Sequence, residues 1–585
     1  MRIDRSEIFP EKKLPNAEDL LAQGRELNQT ICVSSCPFLT RYNVRSEMEY
    51  KKKQMTKGQM MLHAQVGYRS LSKTQHALTK IYEQLNEAGY NVDRYGICLD
   101  WSMGYPSKYR TAMPQGTGLI LKKVEDFISL THAAPVAPHF GDFVIGTPAS
   151  VENTAAALQA GATSIGNIGQ YFTFRMPRWQ DDVGTTAETV KALALCVSQP
   201  VDILIHSNLD DGFAALFRDM SCSLGAVLIE CYIIEELIGG SISHCYGHTF
   251  SEPLTRLAFQ QALARVTTTP GSMIYGNTTI YGGNEVENYA NLASYLLIDI
   301  VGQMNLPTGH GLNPVPVTEA LHIPEIDEII NAHLFANRLI YRSEGYEGLV
   351  DFETVERCAD KLIDGGRIFK DQVLNGLAER GIDITNPFEL LLAIRRIGAK
   401  SLEELFGPGK KVKQKRIPIV RATTLNVLEK QSEEIIDSLD KNVLRNIQKA
   451  NFSICLTCTD VHEYGKILVE ETLQRIGVKI IDAGVSTDPN DVVEKAKAAG
   501  TDFIAISTYS GVALSYLKTL RQEMRQINLN IPVFIGGKLT QIPEDSESSR
   551  PVNVEEEIQT LGAIVCIQVQ DMLNYLGSIA KEQNP

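Results

Sequence analysis

Short apolar runs rich in β-forming residues alternate with segments of helical periodicity over about residues 141–324. The apolar runs read DFVIG, TSIGNIGQ, VDILIHS, SISHCYG and SMIYGN, and segments such as ASVENTAAALQAGA and SEPLTRLAFQQALARV lie between them. Repeated strand-helix units of this kind favour a parallel sheet with its helices on the outside. The pattern therefore predicts an α/β domain, which we interpret as a (β/α)8 barrel of the TIM type.

A second, shorter alternating series begins at Asn451. Its apolar runs are FSICLT, VKIIDAG, DFIAIST, IPVFIGG and AIVCIQ, and a helical pattern follows each of them. Such a series is typical of a doubly wound, flavodoxin-like (Rossmann-like) domain, in which ligands bind at the carboxyl ends of the strands.

We therefore expect four parts in the chain. They are an N-terminal extension (1–60), a barrel with a helical C-terminal part (61–406), a linker and helix (407–450), and the flavodoxin-like domain (451–585). The linker begins at the helix-breaking run Gly407-Pro408-Gly409 and contains the basic run GKKVKQKR, which we interpret as a solvated surface.

Composition and charge narrow the classes of partner. The formal net charge is -14 and the mean hydropathy is -0.10, and no run of 18 apolar residues is present. An acidic chain lacks the basic face that nucleic-acid binding requires, so we expect no nucleic-acid partner. We also expect no membrane partner, reduced thiols at all 11 cysteines, and a cytoplasmic location.

One motif of the C-terminal series carries metal chemistry. Asp460, His462 and Gly465 form a D-x-H-x-x-G pattern at the turn between the first strand and the first helix. An imidazole at this place can bind a metal through one ring nitrogen, while the carboxylate two residues earlier accepts a hydrogen bond from the other. The glycine allows the backbone to approach a bulky group closely.

Two more sets of small residues follow later strands of the same series. Ser507 and Tyr509 follow DFIAI, and Gly536 and Gly537 end PVFIGG. With the D-x-H-x-x-G motif, this set resembles the cobalamin-binding domain of base-off, His-on B12 enzymes, whose motif has Leu where Tyr509 stands. The resemblance implies that His462 is the lower axial ligand of cobalt and that the small residues line the channel of the displaced nucleotide tail.

The predicted barrel has polar clusters where several strands end. They are Gly146-Thr147-Pro148, His206-Ser207-Asn208, Tyr246-Gly247-His248, Gly276-Asn277-Thr278 and Gly309-His310-Gly311. Because the active site of such barrels lies at the carboxyl ends of the strands, these clusters indicate a functional mouth.

Collinear stretches of the barrel resemble the large component of glutamate mutase (methylaspartate mutase). They include Ala64-Gln65, expected to open a helix that includes His76, the Gly146-Thr147-Pro148 turn, the 164–177 loop, Gly282-Gly283 and the run 318–324. This resemblance implies an adenosylcobalamin-dependent carbon-skeleton mutase, an isomerase that shields radicals inside the barrel. It also implies that Glu319 contacts the ribose region of the adenosyl group.

The substrate side departs from that family. The family binds glutamate carboxylates with arginines, but Val144-Ile145 stands where one of these arginines is expected. The candidates for binding a carboxylate here are Arg69, Arg110, Arg175 and Arg178, with Arg69 and Arg178 preferred, because a guanidinium is a planar bidentate donor. We therefore expect a small-molecule acid or amino acid that need not be glutamate, and a homodimeric enzyme.

Two other functions stay open at this point. A barrel followed by a B12 module is also used by corrinoid methyltransferases, which would use methylcobalamin and release no deoxyadenosine. A B12-dependent sensor or carrier whose barrel has lost catalysis would agree with the missing arginines.

Replacing His462 with Ala is expected to abolish imidazole ligation of cobalt. The measurement is the electron paramagnetic resonance spectrum of the cob(II)alamin state, in which hyperfine splitting from an imidazole nitrogen should vanish completely. Dimethylbenzimidazole coordination in the protein with His462 intact would contradict the assignment.

Overall fold

The computed structural model describes residues 4–113, 115–116, 118–215, 217–250, 252–278, 280–412, 415–459, 464–509, 511–541 and 551–583. The chain forms two compact units, Met1–Thr173 with Gln180–Thr423 and Phe174–Trp179 with Thr424–Pro585. Within the described ranges, no helix combines the length and apolar character needed to cross a membrane.

The first unit contains a parallel barrel of eight strands. They are β1 (Met61–Val66), β2 (Arg94–Ile97), β3 (Ala137–Phe140), β4 (Ser164–Gly166), β5 (Leu204–Asn208), β6 (Ser241–Cys245), β7 (Met273–Ile274) and β8 (Gly311–Leu312). Their order is β6-β5-β4-β3-β2-β1-β8-β7. The ring closes between β6 and β7, where Tyr275 N donates to Tyr246 O at 2.7 Å. The predicted (β/α)8 fold is confirmed.

Helices surround and extend this barrel. They are α1 (Arg5–Ile8), α2 (Ala17–Glu26), α3 (Pro37–Tyr42), α4 (Glu47–Thr56), α5 (Leu71–Glu87), α6 (Ser107–Arg110), α7 (Val124–Thr131), α8 (Ser150–Gln159), α9 (Ile168–Thr173), α10 (Asp182–Val197), α11 (Met220–Cys231), α12 (Pro253–Val266), α13 (Glu285–Asn305), α14 (Ile326–Arg342), α15 (Phe352–Ala378), α16 (Pro387–Ile397) and α17 (Ala399–Phe406). A π-helical segment, Tyr232–Ile238, continues α11.

Two local predictions for the barrel are wrong. The run DFVIG, residues 142–146, is not a strand, because the third strand has already ended at Phe140. Ala64 and Gln65 do not open a helix but lie inside β1, and the helix that contains His76 begins at Leu71. In both places the strand and the polar turn after it form one apolar-to-polar run, so the periodicity alone does not show where the strand ends.

The pleat determines which side chains point into the barrel. On β5, the Ser207 hydroxyl donates to Glu230 of α11 at 2.9 Å, so Ser207 points outward. Because side chains alternate along a strand, His206 and Asn208 point inward. The His206 ring contacts the His139 ring, with 4.4 Å between their centroids. The barrel interior is therefore polar, and Asn208 lies at its carboxyl end.

Helix α4 closes the amino end of the barrel with buried charges. Glu47 accepts from Arg94 Nε at 2.9 Å, and Lys51 lies 3.5 Å from Glu47. Lys51 Nζ also donates to Ser272 O at 3.0 Å and to Gly309 O at 2.7 Å, just before β7 and β8. Burial lowers the pKa of Lys51 to about 8. The carboxyl end is thus the end left for a ligand.

The second unit contains a parallel sheet of five strands. They are β11 (Ser453–Cys458), β12 (Lys479–Val485), β13 (Phe503–Thr508), β14 (Val533–Gly537) and β17 (Ile564–Cys566), in the order β12-β11-β13-β14-β17. Two-residue strands form antiparallel pairs elsewhere, β9 (Lys411–Val412) with β10 (Lys415–Arg416) and β15 (Thr540–Gln541) with β16 (Val552–Asn553). The strand order is that of flavodoxin-like folds, as predicted.

Helices of this unit alternate with its strands. They are α18 (Thr423–Asp437), α19 (Lys441–Ala450), α20 (Tyr464–Arg475), α21 (Pro489–Ala499), α22 (Ala513–Gln526), α23 (Glu555–Thr560) and α24 (Val569–Gln583). The periodic segment that precedes the domain is two helices, because Asp440 caps a new helix by accepting from Asn442 N at 2.7 Å.

A buried guanidinium joins two strand ends of the barrel to two outer helices. Arg256 of α12 forms a bidentate ion pair with Asp299 of α13, at 2.6 and 2.7 Å. It also donates to Gly247 O at 2.7 Å, Phe250 O at 2.9 Å and Tyr275 O at 2.8 Å. The turns after β6 and β7 are therefore fixed by one side chain.

Changing Asp299 to Asn should destabilise the protein by about 3–5 kcal/mol, because the Arg256 charge stays buried without its counter-ion. Urea unfolding followed by circular dichroism measures the change. The matched control is Asp360→Asn. Asp360 pairs at 2.7 Å with Arg265, which lies on the same helix as Arg256, but the Asp360 side chain is 57% exposed. That control should change stability by less than about 1 kcal/mol. Equal effects of the two changes would contradict the assignment.

Candidate functional site

The central strands of the second unit bring the small residues of the C-terminal motifs together. Strands β11, β13 and β14 are neighbours, so their carboxyl ends form one edge. Hydrogen bonds continue past the strand ends, from Thr459 N to Ser507 O at 3.0 Å and from Lys538 N to Thr508 O at 2.8 Å. Ligands of open α/β sheets bind at this kind of edge.

Glycines at this edge allow close approach of the backbone. A Cβ on Gly465 would lie 3.0 Å from Ser507 Oγ, and one on Gly536 would lie 2.6 Å from Cys566 O. Gly537 has φ +102°, and a Cβ there would lie 2.2 Å from Thr508 O. A side chain at Gly536 or Gly537 would collide with a backbone oxygen of a neighbouring segment, and one at Gly465 would press on Ser507, so the chain packs closely at three of the predicted positions.

Polar groups lie beside these glycines. The Tyr509 ring contacts Lys538, whose Nζ lies 3.9 Å from the ring centroid. Thr508 is 2% exposed, and its hydroxyl has no hydrogen-bond partner among the described residues. A buried hydroxyl without a partner is a polar atom to which a ligand can bond.

The central motif residues Asp460 and His462 lie outside the described residues. The flanking elements show where the motif belongs in the chain, because β11 ends at Cys458 and α20 begins at Tyr464. His462 as the cobalt ligand, with Asp460 as its hydrogen-bond partner, therefore stays a prediction.

At the barrel, two of the predicted catalytic residues follow neighbouring strands. Arg69 comes just after β1, and Glu319 comes after β8. Both side chains are half-buried, and Glu319 Oε2 is fully buried with no hydrogen-bond partner within the described part of the chain. The structure thus places Arg69 and Glu319 at the carboxyl end of the barrel.

Arg110 and Arg178 lie in different surroundings. Arg110 ends α6 and donates to Leu121 O at 2.9 Å and to Tyr105 O at 3.1 Å, so most of its donors are used by the backbone. Arg178 is exposed and belongs to the second unit, where its backbone N donates to Asp488 at 2.5 Å.

Two residues that the sequence did not single out line the mouth of the barrel. Cys98 is exposed, yet desolvation raises the pKa of its thiol to about 12. Tyr275 is partly exposed, and burial raises the pKa of its phenol, as do the nearby carboxyls of Glu319, Asp211 and Asp142. Exposed surface combined with strong desolvation is typical of side chains that line a deep cavity.

Three buried polar atoms without hydrogen-bond partners lie at the carboxyl end of the barrel. Among the described residues, Asn208 Oδ1, Asp210 Oδ1 and Asn313 Nδ2 have no hydrogen-bond partner, and these residues are 6%, 1% and 2% exposed. The polar cluster that ends the fifth strand indicated Asn208, whereas no periodicity distinguishes Asp210 or Asn313 from ordinary turn residues. Their common position at one end of the barrel is a result of the closure of the ring.

The C-terminal edge and its glycines agree with a match to a known family. Residues 457–556 match the family model described as B12 binding domain. The C-terminal domain is a B12-binding domain. Its edge fits a cofactor with a polar tail, because Gly465 is exposed beside Ser507 and the buried Thr508 hydroxyl has no hydrogen-bond partner among the described residues.

Two individual proteins are similar to parts of the chain. Methionine synthase of Mycobacterium leprae (strain TN) is 24% identical over 189 residues, which is 31% of this chain and 15% of that protein. The chain thus matches less than a fifth of that relative's length. A crystal structure of a novel cobalamin-binding protein from Desulfitobacterium hafniense DCB-2 shares 18% identity, covering 26% of this chain and 78% of that one, with a TM-score of 0.19.

Gly465→Ala is expected to weaken cobalamin binding roughly tenfold, because the new methyl group enters the space beside Ser507. Titration of the purified protein with cobalamin, followed by visible absorbance, measures the affinity. Gly283→Ala is the control, since nothing lies within 4 Å of a Cβ there. An unchanged affinity in the Gly465 variant would show that this glycine does not border the cofactor.

Proposed function

We propose that the chain is an adenosylcobalamin-dependent carbon-skeleton mutase that acts on an amino acid or a related small acid. In this proposal the C-terminal domain holds the cofactor, with His462 as the axial ligand, and the barrel mouth holds the substrate. The observation that carries the adenosyl form of the cofactor is the buried, unpaired carboxylate oxygen of Glu319.

A ribose hydroxyl fits the Glu319 carboxylate chemically. A carboxylate is an acceptor only, and its buried Oε2 has no donor within the described ranges. Ribose hydroxyls are donors, so a bound adenosyl group would satisfy this oxygen with a charge-assisted hydrogen bond. A methyl group offers no such donor, which is why this residue supports the adenosyl form over methylcobalamin.

The cofactor would supply a carbon-centred radical by homolysis of its cobalt-carbon bond. The residues of the barrel would bind the substrate and exclude water from it. The side chains that surround Tyr275 and Cys98 make the mouth deep enough to desolvate both groups. Acid-base chemistry is not required of them, so hydrogen bonding and shielding are their proposed work.

Arg69 is the proposed partner of a substrate carboxylate. It follows β1, which is the neighbour of β8, so it lies at the carboxyl end of the barrel. Arg110 is left out of this proposal, since backbone carbonyls use its terminal nitrogens. Arg178 belongs to the second unit and stays a prediction from the sequence. A homodimer remains the expected assembly.

A corrinoid methyltransferase is the second candidate, and the similarity to a methionine synthase favours it. It differs from the mutase in its chemistry, because it would consume methylcobalamin and a methyl donor. Turnover of methylcobalamin without release of deoxyadenosine would identify it.

Reconstitution with adenosylcobalamin should give a substrate-dependent radical signal. The full chain is mixed with each member of a panel of amino acids and short dicarboxylates, and the electron paramagnetic resonance spectrum is recorded after rapid freezing. We expect a signal with at least one substrate, and a loss of at least about tenfold in its amplitude in Glu319→Gln, because the amide replaces a charge-assisted hydrogen bond with a weaker, neutral one.

If no compound of the panel gave a radical signal, the mutase reaction would be rejected. Asp360→Asn serves as the matched control for Glu319→Gln, because Asp360 is an exposed carboxylate on the outer helix α15. If both variants lost the signal equally, Glu319 would have no specific part in cofactor binding.

A further inference from the structure

Two buried acceptor oxygens at the end of β5 have no hydrogen-bond donor among the described residues. Asn208 Oδ1 and Asp210 Oδ1 are buried, and neither has a hydrogen-bond partner in the described part of the barrel. Asn208 points into the barrel because Ser207 points outward to Glu230. A buried acceptor without a donor has lost its hydrogen bonds to water, so a ligand donor at this place would be favourable.

The neighbouring backbone holds both residues in place before any ligand arrives. Asp210 Oδ2, the other carboxylate oxygen, accepts from Gly247 N at 3.1 Å and from Thr249 N at 2.8 Å. Asn208 N donates to the side chain of Asn167 at 2.8 Å. Groups that are fixed by other bonds lose little entropy when a ligand binds, so the Asp210 carboxylate is preorganised, and the backbone that carries Asn208 is anchored at the same strand end.

Carboxylates are the more numerous charged groups around the mouth, and the His248 ring also acts electrostatically on Asp210. Asp142 follows β3, and Asp210 and Asp211 follow β5. Burial raises the pKa of Tyr275, and Asp211 and Asp142 raise it further, so these carboxyls act on the same cavity. Arg69 is the cation just after β1. Such a mouth attracts a positive group at the β5 side and repels an added carboxylate there.

We propose that Asn208 and Asp210 bind a primary ammonium group at one end of the substrate, so that the mouth takes amine-ended amino acids in preference to dicarboxylic ones. An ammonium group carries three donors and a positive charge, which suits the two unpaired acceptors and the nearby Asp211. We assign the carboxylate at the other end of the substrate to Arg69. This inference rests on the proposed function for the use of the mouth as the substrate site.

Isothermal titration of the full cobalamin-loaded chain compares two pairs of equal length and opposite terminal charge. The pairs are L-lysine with L-2-aminoadipate and L-ornithine with L-glutamate. At least one amine-ended compound is expected to bind roughly tenfold or more tightly than its dicarboxylic counterpart. Equal or tighter binding of both dicarboxylic compounds, or no binding of any of the four, would overturn the proposal.

Asp210→Asn tests the residue itself. The amide keeps one acceptor oxygen for Gly247 and Thr249 but places a donor where Oδ1 was, so the preference should shrink to within about threefold. Asp211→Asn is a second variant, because this side chain is half-buried and tolerates the change. It should reduce the preference in the same direction. A full preference in both variants would overturn the assignment.

Asp93→Asn is the matched control. Asp93 is a buried carboxylate that accepts from Tyr50 at 2.6 Å and from Leu62 N at 2.8 Å, and it lies at the amino end of β2. The same isosteric change there should leave the ligand preference unaltered. Because these titrations measure binding alone, a preserved preference without any radical signal would reject the mutase reaction and keep the ammonium site.

Discussion

The Arg256–Asp299 ion pair is the interaction on which the carboxyl end of the barrel depends. Its guanidinium holds the turns after β6 and β7 through backbone carbonyls, and Gly247 in the first of these turns donates in turn to Asp210. A buried charge needs several partners to be stable, and this one has them in three separate segments, α13 and the turns after β6 and β7. The positions of Tyr275 and Asp210, which line the mouth, follow from that requirement.

The C-terminal domain depends on a different constraint, the absence of side-chain volume at one edge of its sheet. Gly465, Gly536 and Gly537 lie where a Cβ would meet neighbouring atoms at 3.0 Å or less. All three glycines lie within residues 457–556, which match the B12 binding domain family. The edge of this sheet thus carries small residues, whereas the carboxyl end of the barrel carries buried polar side chains.

Several parts of this architecture could be predicted from the sequence. The second alternating series gave the five parallel strands and their flavodoxin-like order, because each strand and each helix there has its own apolar pattern. In the barrel, the runs that contain β4, β5, β6 and β7 were recognised, but DFVIG was taken for a strand although β3 ends just before it, and Ala64-Gln65 was placed in a helix. Local periodicity does not show where a buried strand ends and a polar turn begins.

The sequence by itself determined the two fold types, the cobalamin motif and the glycines beside it, because these depend on local spacing and on residue type. Only the tertiary structure decided that Arg110 is occupied by backbone carbonyls, and that Asn208, Asp210, Cys98 and Tyr275 lie at the same end of the barrel. They stand at the ends of three strands, β2, β5 and β7, which are far apart along the chain. These turns come close together only because the ring of strands closes. No local pattern of residues along the chain predicts which turns will then be neighbours.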